Sequence, residues 1–116
     1  MSIQRFHVGQ RLSEMAIFNK TIYLAGQIPD DFTQDIVGQT KEVLGHVDRL
    51  LAEASSDKLH ILMCQIFLSD IHLISGMNQA WDAWVADGHA PPRATVQAAL
   101  ANSAWLIEIV VTAAQK

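Results

Sequence analysis

The run Leu59-His60-Ile61-Leu62-Met63-Cys64-Gln65-Ile66-Phe67-Leu68 constrains the fold most, because it is nearly continuous in apolar side chains and rich in branched ones. It is too short to span a bilayer, and its composition predicts a strand buried on both faces. Segments of a different period flank it. Upstream, Ile36, Val37, Thr40, Val43, Leu44, Val47, Leu50, Leu51 and Ala54 recur at helical spacing, with Thr33 or Asp35 as N-cap and Ser55-Ser56-Asp57 as the stop. Downstream, Ser69-Asp70 caps a second amphipathic helix marked by Ile71, Ile74, Met77, Asn78, Trp81, Trp84 and Val85, and Asp87-Gly88 closes it.

Shorter strands complete the pattern. Ile3, Arg5 and His7 alternate with Gln4, Phe6 and Val8; then Met15 to Phe18 and Thr21 to Ala25, separated by Asn19-Lys20, read as a hairpin. Gly26-Gln27-Ile28-Pro29 breaks it. After the second helix, His89-Ala90-Pro91-Pro92 must be extended, because each proline restricts the residue before it. Strands from Arg93 to Leu100 and from Trp105 to Ala113 follow. The order β-β-α-β-α-β-β predicts an α+β fold: one domain over residues 1–116, with one mixed sheet and both helices on one face. Half of the residues are hydrophobic and 17% are charged, so the uncovered sheet face is where surplus apolar surface seeks a partner, and self-association is expected.

Charge and cysteine use narrow the function. Eight Lys plus Arg against twelve Asp plus Glu give a net charge of −4, with no basic cluster of the kind that binds a phosphate backbone, so no nucleic-acid partner is expected. The single cysteine excludes an internal disulfide and any zinc site built on two cysteines of one chain. Met1-Ser2-Ile3-Gln4-Arg5 lacks the apolar core of a signal peptide, which together with the cysteine use predicts a cytoplasmic protein without a membrane partner.

Two charged residues stand where solubility does not need them. Arg93 directly follows two prolines at a strand start, so its guanidinium is aimed and suited to a bidentate pair with a carboxylate; the competing reading is a surface arginine. Glu108 is the only acid after Asp87 and is embedded in Trp105-Leu106-Ile107-Glu108-Ile109-Val110-Val111, on a solvated face or partly desolvated and suited to proton transfer. If the last two strands pair as an antiparallel hairpin, both residues lie near one end of it. His60 and Cys64 share a strand face by spacing, but a plain core cysteine is the simpler reading. Trp81 and Trp84 read as core or interface anchors. No catalytic triad, phosphate-cradling loop or metal site is proposed.

Taken in order, Leu24-Ala25-Gly26-Gln27-Ile28-Pro29, Met77-Asn78-Gln79-Ala80-Trp81, Pro92-Arg93-Ala94-Thr95-Val96-Gln97 and Leu106-Ile107-Glu108-Ile109 resemble the RidA (YjgF/YER057c/UK114) family over nearly the whole chain, closest to its small YoaB-like branch. The resemblance implies a chorismate-mutase-like fold assembled as a homotrimer, with sheets facing inward and clefts between subunits. It implies hydrolysis of enamine or imine intermediates, such as 2-aminoacrylate and 2-iminopropionate, to a 2-keto acid and ammonia, without a cofactor. By matched position, Arg93 holds the substrate carboxylate, the Thr95 backbone contacts it, Glu108 positions or activates water, and Ala25, Gly26 and Asn78 line the cleft. The chain departs from the family at Ala25, where active members carry a serine, and at Leu12, which stands where they carry a tyrosine. Thr95 occupies a position often held by cysteine. Two other classes remain beside this one: a module that binds 2-keto acids or small carboxylates without catalysis, and an endoribonuclease or translation inhibitor.

Overall fold

The computed structural model describes residues 2–116. Three strands come first, β1 (Gln4–Val8), β2 (Ser13–Phe18) and β3 (Thr21–Leu24), then helix α1 (Ile36–Glu53), β4 (Ile61–Leu68), helix α2 (Ile74–Trp84), β5 (Arg93–Gln97) and β6 (Ile107–Ala114). The two helices and the mixed sheet are those read from the sequence, but Asp70 caps a separate short turn, Ile71–Leu73, by accepting from the His72 N–H, so α2 begins after it at Ile74 without a side-chain cap, and β5 stops at Gln97 short of Leu100. The N-terminal alternation adds a strand of its own, with Phe6 opposite Met15. Asn19 and Lys20 both take positive φ, 53° and 63°, the conformation a two-residue hairpin turn needs to match the twist of its strands.

The sheet order is β1-β2-β3-β6-β4-β5. β4 is antiparallel to β6 and parallel to β5, because α2 carries the chain back across the sheet before β5 begins and such a crossover returns it in the same direction. The last two strands therefore do not form a hairpin: β4 lies between them.

Asp35 caps α1 by accepting a hydrogen bond from the Gly38 N–H. The helix then buries Val43, Leu44, Val47, Leu50 and Leu51 against Ile22, Ile66, Ile109 and Val111 of the sheet, with Met77 and Trp81 from α2 in the same cluster. Burying that many aliphatic side chains, at roughly 1.5–3 kcal/mol each, is what holds the helices to the sheet. The far face is uncovered. Phe18 is 40% exposed, Tyr23 50%, Met63 42% and Val96 46%. In β4 the helix side is buried at Cys64, Ile66 and Leu68 while Leu62, Met63 and Gln65 are exposed, so within one chain this strand is buried on one face rather than both. No helix among the described residues is long and apolar enough to cross a membrane.

Candidate functional site

Arg93 opens β5 immediately after Pro92, whose carbonyl accepts a hydrogen bond from the Cys64 N–H at 3.0 Å. That bond sets the parallel register in which Arg93 lies beside Cys64. Cys64 faces the helices, so the Arg93 side chain does too: Nη1 donates to Asn78 Oδ1 at 2.9 Å, and the guanidinium sits 5.0 Å from the ring centre of Trp81. Among the described residues this is the only side-chain hydrogen bond Arg93 makes, leaving most of its five donors for a ligand. Thr95, in register with Ile66, shares this face, and its buried hydroxyl oxygen has no hydrogen-bond partner among the described residues.

Beneath Arg93 the Cys64 thiol is pushed up to about 12 by burial, against which the arginine charge pulls it down. His60 is not in the strand. It lies in the short helical turn Lys58–His60 with Nδ1 2.7 Å from Asp57 Oδ1, so the His60–Cys64 pair allowed by spacing does not form.

Glu108 belongs to a different locality. In β6 the residues Ile107, Ile109, Val111 and Ala113 are buried toward the helices, and Glu108 alternates with them onto the uncovered face opposite Phe67. The segment after β3 is pinned beside it: the Gln27 N–H donates to the Ile109 carbonyl at 2.7 Å and the Ile109 N–H to the Gln27 carbonyl at 3.0 Å. Gly26 is thereby pressed against the carboxylate, where a Cβ would lie 1.9 Å from Glu108 Oε2 and 2.8 Å from Cδ. Only glycine leaves room for the carboxylate as it stands. Ala25 is fixed by its N–H donating to the Glu14 carbonyl and its own carbonyl accepting from Gln27 Nε2, both at 2.9 Å.

The candidate residues thus form two groups: Arg93, Asn78 and Thr95 on the helix side of an edge strand, and Ala25, Gly26 and Glu108 toward the uncovered face. Two interstrand steps and three residues of register separate Arg93 from Glu108, about 14 Å at ordinary strand spacings. The single-chain hairpin that would have joined them is absent.

A cavity of about 270 Å³ opens beside Gly26, with Leu12, Gln27, His46 and Arg49 in its wall. At its edge Asp30, Glu42 and His46 bring three metal-capable atoms within 4.8 Å of one another, a grouping that strand and helix spacing did not reveal because Asp30 lies in a loop. Glu42 Oε1 there accepts from the Asp30 and Asp31 N–H groups, each at 3.0 Å, so it already clamps that loop. A second cavity, about 280 Å³, lies between the outer surfaces of α1 and α2 against Lys58 and Trp84, away from both groups.

Residues 2–115 match the family model described as "Endoribonuclease L-PSP". The chain is 49% identical over 114 residues to a RutC family protein of Haemophilus influenzae, covering 97% of this chain and 98% of the relative. It is 42% identical over 114 residues to the RutC family protein YoaB of Escherichia coli, covering 98% and 99%. A more distant relative, 25% identical over 109 residues with coverage of 89% and 79%, is a 2-iminobutanoate/2-iminopropanoate deaminase of Capra hircus. Among solved structures, a YjgF family member from Neisseria meningitidis superposes with a TM-score of 0.97 at 42% identity, covering 100% of this chain and 97% of the other.

Proposed function

The chain belongs to the RidA/YjgF family, in its YoaB-like branch, and from that premise we propose that it hydrolyses reactive enamines and imines of small 2-amino acids to 2-keto acids and ammonia. The distant deaminase relative points the same way. The observation that carries the reading is the pair of half-sites: Arg93 with unused donors on one side of the sheet, and Glu108 held against the Gly26 main chain on the other. Neither half is sufficient. A homotrimer packed through the uncovered apolar faces, with clefts between subunits, brings the Arg93 group of one copy to the Glu108 group of the next and covers Phe18, Tyr23, Met63 and Val96.

The chemistry asks little of the protein, because an imine carbon is already electrophilic. Arg93 pairs with the substrate carboxylate and fixes the C=N carbon above the Gly26 segment, with the Thr95 main chain beside it. Glu108 takes a proton from water as the water oxygen bonds to that carbon, then returns it to the nitrogen. The carbinolamine collapses to the ketone and ammonia leaves, so one water is consumed per imine. An enamine first tautomerises to the imine. Such acid–base help is worth about 10² to 10⁴ in rate, with orientation adding more, and no step calls for a cofactor.

Leu12 and Ala25 carry no hydroxyl where active family members do, so the proton transfers rest on the Glu108 carboxylate. Timing pyruvate release downstream of an enzyme that generates 2-aminoacrylate tests the proposal: acceleration over buffer that disappears in Glu108→Ala supports it. A rate equal to buffer, with keto-acid binding retained, would make the cleft a binding module instead. The net charge of −4 and the lack of a basic cluster speak against the ribonuclease suggested by the family's name.

A further inference from the structure

Trp81 is buried at 5% exposure and yet presents its ring to a charged, exposed side chain. A residue needed only for core volume has no reason to do so. Its neighbour three positions on, Trp84, lies with its ring centre 5.3 Å away at 54° and is held from two sides: its indole Nε1 donates to Asp48 Oδ2 at 2.9 Å, and its carbonyl accepts from Lys58 Nζ, which also stands 5.2 Å from the ring centre. Helix α1, the turn before β4 and helix α2 thus fix Trp84, and Trp84 buttresses Trp81. Trp81 in turn sets its ring centre 5.0 Å from the Arg93 guanidinium while Asn78 Oδ1 accepts from Nη1 at 2.9 Å.

We propose that Trp81, backed by Trp84, is a positioning residue for Arg93: it holds the guanidinium by cation–π contact in the orientation that receives the substrate carboxylate. An arginine on an exposed strand edge otherwise samples many rotamers, and freezing them on binding costs affinity. With the aromatic contact and the Nη1 hydrogen bond made beforehand, the remaining N–H donors are held ready for a planar carboxylate. The role in substrate binding rests on the reading of Arg93 as carboxylate anchor; the positioning itself does not.

The experiment separates the two. In ¹⁵N-labelled full-length protein the Arg93 Nε–H signal, assigned by its loss in Arg93→Lys, is expected to be shifted by the indole ring current and to show the heteronuclear NOE of an ordered group. In Trp81→Met, which keeps an apolar side chain but no ring, that NOE should fall toward values for free surface arginines. Affinity for 2-oxobutanoate should fall roughly three- to tenfold, as expected for loss of a partly exposed cation–π contact, and Trp81→Phe should recover most of both. A mobile Arg93 in the parent protein, which needs no variant to detect, overturns the proposal, as does an Arg93 equally ordered in Trp81→Met. If Trp81→Met frees Arg93 but 2-oxobutanoate binding is unchanged there and in Arg93→Lys, the positioning stands and the carboxylate-anchor reading falls.

Discussion

Arg93 and Glu108 lie on opposite faces of one sheet, with β4 between their strands. A substrate as small as a three-carbon imino acid therefore cannot touch both within one chain. Either they serve different ends, or the second copy that the uncovered apolar face calls for supplies the missing partner. The burial pattern favours the second: Glu108 sits on the face that association would cover, and Arg93 sits at the edge strand that borders it.

Mixed assemblies follow from that geometry. Arg93→Ala and Glu108→Ala subunits should each be inactive alone, yet co-refolding them in equal amounts should restore about a quarter of the clefts, those taking Arg93 from one variant and Glu108 from the other. Pyruvate release per subunit measures it. Activity that stays at the level of the separate variants would place both residues in clefts formed by the same chain.

Gly26→Ala should separate stability from activity. The added Cβ collides with the Glu108 carboxylate, at 1.9 Å from Oε2, but a carboxylate is the far end of a flexible side chain and can swing aside. Unfolding free energy should change by less than about 1 kcal/mol, while deaminase activity falls by the 10² or more expected of a displaced acid–base group. Equal losses of both, read by urea titration and the coupled assay, would contradict the assignment of Glu108.

Helix α1, the apolar stripe of α2 and the Asn19-Lys20 turn were legible because each rests on local signals: period, the Asp35 cap, and residues that accept the positive φ of a tight hairpin. The resemblance assigned Arg93, Asn78, Gly26 and Glu108 to one cleft, but that Arg93 meets Asn78 and Gly26 meets Glu108 was not legible, since nothing local ties residue 78 to 93 or residue 26 to 108. Strand neighbours were the weak point. Alternation tells which way a side chain faces but not which strand lies next to it, so the antiparallel pairing supposed for the last two strands gave way to the crossover through α2. The partners of Trp81 and the burial of Gln39 were missed for a related reason: a helical stripe read from apolar residues alone passes over a polar side chain that finds its partners inside.

Gln39 is fully buried, and its side chain joins α1 to the loop before β6: Oε1 accepts from the Leu106 N–H at 2.8 Å, and Nε2 donates to the carbonyls of Gln34 at 3.1 Å and Ala104 at 3.2 Å. Gln39→Met keeps the volume and strands those backbone groups. The unfolding free energy should drop by about 2–4 kcal/mol, with hydrogen exchange at Leu106 accelerated well ahead of the β4 and β6 core. Unchanged protection at Leu106 would mean that other contacts hold this loop.

Cys64 supplies a pH signature. Burial raises its thiol from 9.0 to about 12 in the folded chain. The folded state thus keeps a proton that the unfolded chain releases, and stability must fall as pH rises through that window. Below pH 9 the group has no effect; above it the loss approaches about 1.4 kcal/mol per pH unit. The informative quantity is the difference from Cys64→Val, in which every group but this thiol is unchanged. Between pH 8 and 10.5 the parent should lose about 2 kcal/mol relative to the variant, read from urea unfolding at each pH. Parallel curves would show that the thiol ionises in place, and native Cys64 would then react with alkylating reagents at alkaline pH as fast as a free cysteine instead of being protected beneath Arg93.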